Sequence, residues 1–204
     1  MAALTSVEID QHNWIIITDA GRDPDDCAAA CFAAAYMKSD RNIFDKLVLV
    51  CAGGDDPLQN ARIIGKCIDD TTRKDVYKAE DIYLVTGEPT KGGHDFEYGK
   101  DWEYDIGNFK SLKERMTGTI SILIAGPIAG VNFDDFIDWE GSLIHSVVYV
   151  GNAPTEKSRG VNGGGTLVDD TDKAKILQNL MILDTQLGDG HGIVYLPRNF
   201  TRAQ

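Results

Sequence analysis

The chain has no run approaching the ~18 consecutive apolar residues that a membrane-spanning helix requires. Its opening, Met1–Gln11, lacks the charged-then-apolar pattern of a secretory signal. A soluble, cytoplasmic protein with no membrane partner is the expectation. Positive charge is scarce as well: 20 Lys and Arg face 32 Asp and Glu, a formal net charge of -12. Such a field repels phosphate backbones, so nucleic acid is not an expected partner. Cysteine is sparse. Cys27, Cys31, Cys51 and Cys67 form no C-x-x-C pair, and a chain of 204 residues needs no disulfide framework. Reduced core thiols are expected for all four. Cys27 and Cys31 share a helix face, but no histidine accompanies them, so the pattern does not make a zinc site. There is no internal repeat, and no low-complexity stretch beyond the alanines that follow Cys27.

What is present is apolar content of 43%, enough for one compact domain spanning residues 1–204. Trp14–Thr18 is a short apolar run rich in β-branched residues and reads as a buried strand. A loop follows, and then Asp25 to about Lys38, whose alanines favour a helix able to sit close to a sheet. The unit recurs. Strands are expected at Leu47–Cys51, Ile82–Thr86, Ile120–Ala125, Leu143–Val150 and Ile193–Leu196. Helices are expected at Leu58 to about Ile68, Val131–Asp138 and about Asp172–Leu183. Alternation of this kind, with strands apolar throughout, argues for an open α/β fold: a mostly parallel sheet flanked by helices.

Two segments interrupt the alternation. Gly87–Gly107 is expected to be one folded loop, and its Tyr98, Trp102 and Tyr104 offer aromatic area for a core or for an interface in a homo-oligomer or larger assembly. Gly151–Asp170 is glycine-rich and reads as a lid or a turn.

The chemistry concentrates after the first strand. Thr18-Asp19-Ala20-Gly21-Arg22-Asp23-Pro24-Asp25-Asp26 places four carboxylates within eight residues. Capping of the next helix is the plainer account, but one carboxylate suffices for that. Four together repel one another unless a cation relieves them, so a hard divalent ion with oxygen ligands is the sharper reading. Gly53-Gly54-Asp55-Asp56 after the second strand, and Gly126-Pro127-Ile128-Ala129-Gly130 after Ile120–Ala125, lie along the same edge if the sheet is parallel.

Ile17–Asp26 (ITDAGRDPDD) resembles the aspartate-rich amino-terminal motif of the inosine-uridine nucleoside hydrolase superfamily. Ala52-Gly53-Gly54 with Asn60-Ala61, Ile124–Val131, His145–Asn152 and Thr166–Asp170 with Ala174 are similar to later motifs of that family in the same order. The resemblance spans about residues 13 to 198 and implies a nucleoside hydrolase-like domain with a Rossmann-like core. It implies a Ca2+ ion held by Asp19, Asp26 and the backbone carbonyl of Ala129, with Asp25 as the catalytic general base. Gly54, Asp55 and Asn162 fall on the sugar-binding side, and the implied partner is a small-molecule riboside whose N-glycosidic bond is hydrolysed.

The chain departs from the family pattern where the sugar-binding Asn is replaced by Gly54, where Gly163-Gly164-Gly165 stands before Val168, and in lacking the late His-Asp pair. Asp189 and His191 precede the last strand and so belong at the opposite edge. The alternative is a catalytically degenerate relative serving as a binding or structural component of a larger assembly. A magnesium-dependent phosphohydrolase would suit clustered Asp but lacks the expected Lys and Ser/Thr signals.

Overall fold

A computed structural model describes residues 11–19, 24–54, 56–72, 81–90, 104, 106–108, 118–133, 142–151, 170–187 and 191–196. In chain order the elements are β1 (His12–Thr18), α1 (Asp25–Met37), β2 (Lys46–Cys51), α2 (Pro57–Thr72), β3 (Ile82–Thr86), β4 (Ile106–Asn108), β5 (Gly118–Ile124), a 3-10 turn (Ile128–Gly130), β6 (Ser142–Val150), α3 (Asp170–Gln186) and β7 (Val194–Leu196). The strands form one seven-stranded sheet in the order β4-β3-β2-β1-β5-β6-β7. Every pairing is parallel. The open α/β architecture expected from the sequence is therefore present, with β1 at the centre.

Burial on both faces explains why the central strands are apolar at consecutive positions rather than alternate ones. Ile15 and Ile17 turn to one face, with Val48, Val50, Ile122, Val147 and Tyr149, and pack against Ile176, Leu180, Leu183 and Leu187 from α3 and the residue that follows it. Ile16, Leu47, Leu49 and Leu84 turn to the other face, against Ala30, Ala33 and Ala34 of α1 and Ala61, Ile64 and Ile68 of α2. The alanines of α1 thus do steric work: a helix this thin lies close to the sheet and to α2.

Several boundaries differ from the sequence reading. β4 begins at the end of the stretch expected to be one loop; its three residues Ile-Gly-Asn pair with β3 but are too short to show a period. α2 continues past Ile68 to Thr72, with a Lys66–Asp70 ion pair one turn apart on its exposed side. Helix does not begin at Val131, which is extended at φ -121°, ψ 131°; residues 134–138 of that expected helix are outside the described residues. Tyr104 is a packing residue, set against α2 with its hydroxyl donating to Asp69 Oδ2 at 3.1 Å, while Tyr98 and Trp102 are outside the described residues. No helix among the described residues is long and apolar enough to cross a membrane.

The 3-10 turn is tied to α3 by one buried amide. Asn179 Nδ2 donates to the carbonyls of Ile128 (2.6 Å) and Val131 (2.7 Å), and Asn179 Oδ1 accepts from Phe133 N–H at 3.4 Å. Asn179→Ala would strip the side-chain donor from two buried carbonyls, at about 1–3 kcal/mol for each group left unsatisfied. A lower urea midpoint with an unchanged slope is expected in equilibrium unfolding, and an unchanged midpoint would contradict this role.

Candidate functional site at the carboxyl edge of the sheet

From β1 the chain steps through β2, β3 and β4 in one direction, then crosses back to β5, β6 and β7 on the other side of β1. The direction of winding therefore reverses between β1 and β5. In open parallel sheets the crevice outside the carboxyl ends of such a strand pair is where ligands bind, because the flanking connections diverge there. The acidic segment leaves β1 at this point.

Two glycines allow the turns to converge. A Cβ on Gly126 would stand 2.6 Å from the Thr18 carbonyl carbon and 2.8 Å from Asp19 N, so only glycine lets the β5 turn meet the end of β1. Gly53 has φ +109°, and a Cβ there would be 2.4 Å from Pro127 Cγ and 3.4 Å from Asp19 Cβ. The ends of β1, β2 and β5 are thus in mutual contact. Hydrogen bonds extend the junction: Ala52 N–H donates to Thr18 O, and Ala125 and Gly126 N–H both donate to Ile17 O.

The segment after β3 crosses this edge. Gly87 N–H donates to Cys51 O at 2.8 Å, Glu88 N–H to Gly130 O at 2.6 Å, and Thr90 N–H to Gly54 O at 3.0 Å. Gly54, expected on the sugar side, is buried and bridged antiparallel to Thr90. Thr90 is itself buried, and its hydroxyl has no hydrogen-bond partner among the described residues. Asn60, in the first turn of α2, reaches back to Gly53 O at 3.5 Å.

Pro24, not an aspartate, occupies the cap position of α1, and no side chain caps the helix. Asp25 and Asp26 fall in the first turn, where their charge complements the helix dipole without supplying a cap. Their environments differ. Asp25 is exposed, whereas Asp26 is half-buried and accepts a hydrogen bond from the Thr18 hydroxyl. Burial raises the Asp26 carboxyl to about 7; the Thr18 hydrogen bond opposes this, and the charges of Asp19 and Asp25 with a hydrogen bond to Asp19 add to it. Asp19 and Asp26 thus form a carboxylate pair in direct contact, with Asp25 close enough to repel it.

Ala129 is buried in the 3-10 turn, between the two carbonyls that Asn179 holds and next to Gly130, which binds the crossing segment. Asp55, Asn162, Asp23, Arg22 and Asp189 are outside the described residues. His191 precedes β7 at its amino end, across the sheet from the acidic pair. Its ring is 6.4 Å from His145, which is 5.6 Å from His12 at the start of β1. Among the described residues no group of three or more His, Cys, Asp or Glu is arranged to hold a metal ion. The donors at the acidic edge are carboxylates, the chemistry of a hard-cation site, and Asp19 and Asp26 are in contact.

Thr18, Thr90 and Asn179 are site residues that sequence reasoning did not assign. Asn179 had a signal, an amide within the stripe Ile176, Leu180, Leu183 that otherwise faces the core. Set against known proteins, the chain matches no family model, no curated protein and no solved structure.

Because the folded-state pKa of Asp26 lies above its ordinary value of 3.8, the native state holds that proton more tightly than the unfolded chain does. The resulting stabilisation is fully present below about pH 4 and is lost as pH rises through about 7. In chelator-containing buffer the melting temperature should fall across that window, and Asp26→Asn should flatten the fall. Parallel curves for the two proteins would show that Asp26 does not titrate in this way.

Proposed function

We propose that this edge binds calcium through Asp19 and Asp26 and hydrolyses the N-glycosidic bond of a ribonucleoside or related riboside. The observation that carries the reading is the contact of half-buried Asp26 with Asp19, repelled by Asp25, in the crevice where the winding of the sheet reverses. Two touching carboxylates raise their own proton affinity unless a cation sits between them. Calcium takes six to eight oxygens in a flexible shell. Asp19 and Asp26 would hold it with the Ala129 carbonyl, water and vicinal sugar hydroxyls completing the set. When bound, the ion supplies positive charge that orders the sugar and makes a neighbouring water more acidic.

The chain's own residues then divide the work. Asp25, exposed beside the half-buried pair, accepts the proton of the attacking water as the water oxygen bonds to the anomeric carbon; the bond to the base nitrogen breaks, and the base leaves with the electron pair and is protonated by solvent. Thr18 orients Asp26 through its hydroxyl. The crossing segment from Gly87 to Thr90 is fixed to Gly54 and Gly130 at this edge.

A second reading has its own support. Asp26 is already satisfied by Thr18 and, when protonated, by Asp19, an arrangement that holds together without any ion. On that reading the chain is a degenerate relative that serves as a binding or structural component.

The two readings separate in one assay: a panel of purine and pyrimidine ribonucleosides incubated with the protein in calcium or in chelator, with release of free base followed by chromatography. Calcium-dependent release, reduced by about 10²–10⁴ in Asp25→Ala, is the expected outcome for a general base. No release from any member of the panel would favour the second reading.

A further inference from the structure

Three cysteines meet where α1 packs on α2. The Cys27 and Cys67 thiols are in hydrogen-bond contact. One turn further along both helices, Cys31 Sγ lies 3.1 Å from Thr71 Oγ1. Both helices leave the carboxyl ends of neighbouring parallel strands, so they run in the same direction and the contact repeats at the next turn. Cys27, Cys31 and Cys67 are half-buried, and of the four cysteines expected in the core only Cys51 is fully buried.

A thiol pair held sulfur to sulfur between two helices and partly open to solvent differs from an inert core cysteine. The two thiols are already in contact, and both side chains are partly exposed, so a small oxidant can reach them. The hydrogen bond from Cys27 holds the Cys67 thiol down at about 7, against burial and the charge of Asp70, so thiolate is available near neutrality.

We propose that Cys27 and Cys67 are a peroxide-oxidisable dithiol that closes into a disulfide clamping α1 onto α2. The Cys67 thiolate attacks one oxygen of hydrogen peroxide, the O–O bond breaks, and Cys67 becomes a sulfenic acid while hydroxide leaves and is protonated to water. The Cys27 sulfur then attacks the Cys67 sulfur. The S–S bond forms, the S–O bond breaks, and the departing hydroxide takes the Cys27 proton as a second water. Two thiols lose two electrons, and one peroxide is reduced to two waters. Because Cys27 directly follows Asp26, the clamp fixes the turn of α1 that carries Asp25 and Asp26. The disulfide itself requires neither the metal nor the riboside.

The test uses the full-length protein, reduced, desalted and exposed to a small excess of hydrogen peroxide. Free thiols are then alkylated, and the digest is mapped by mass spectrometry. The expected product is one cross-linked peptide pair joining Cys27 to Cys67, reversed by dithiothreitol, formed in Cys31→Ser and Cys51→Ala, and lost in Cys27→Ser and Cys67→Ser. Oxidation should raise the melting temperature of the wild type by roughly 5–10 °C. Cys27 and Cys67 alkylated as fully after peroxide as before, a disulfide joining other cysteines, or sulfinic acid at Cys67 beside a free Cys27 would each overturn the proposal. The wild-type map needs no variant, so misfolding of a substituted chain leaves the test intact.

Discussion

The close approach of the β5 turn to the end of β1 is the contact on which the rest of the carboxyl edge depends. Gly126 rests against the Thr18–Asp19 backbone, and Gly53 against Pro127 and the Asp19 side chain. A side chain at Gly126 would push the turn away from the strand that delivers the carboxylates. The same turn leads into the segment that Asn179 holds from α3, so the placement of Ala129 and that of Asp19 are linked through a few backbone contacts.

Within that frame the chemistry follows from electrostatics. One carboxylate beside a helix start is ordinary and stabilising. A second in contact with it, half-buried, is held there at a cost that falls when a proton or a cation is added. Asp26 has the proton's answer in the hydrogen bonds to Thr18 and Asp19. The proposed calcium is the other answer, and it leaves Asp25 as the exposed carboxylate free to move a proton. The choice between the two separates a catalytic edge from a structural one, and both use the same residues.

The sheet was largely legible in the sequence because strands buried on both faces, such as Ile15–Ile17 and Leu47–Cys51, carry uninterrupted apolar runs that little else produces. The acidic edge was legible because four Asp in eight residues are costly unless placed for a reason. Other features were hidden by their scale or their range. β4 has three residues, one of them glycine, and pairs only because β3 offers an open edge. The turn after β5 is a single 3-10 turn, too short for a helical period. The crossing segment that bonds Gly54 and Gly130 depends on contacts between residues far apart in the chain. The meeting of Cys67 with Cys27 depends on how α2 lies against α1, which no spacing rule contains. Cys27 and Cys31 could be placed on one helix face from their separation, but the third thiol could not.

If the acidic edge is a working cation site, calcium must stabilise the fold through it, which the melting temperature with and without millimolar calcium reads on the wild type and on Asp26→Ala. A ligand that binds only the native state at about 100 times its dissociation constant adds about 2.7 kcal/mol. A calcium-dependent rise of several degrees in the wild type, absent from the variant, is the expected result. No rise in the wild type, or an equal rise in both, would contradict it.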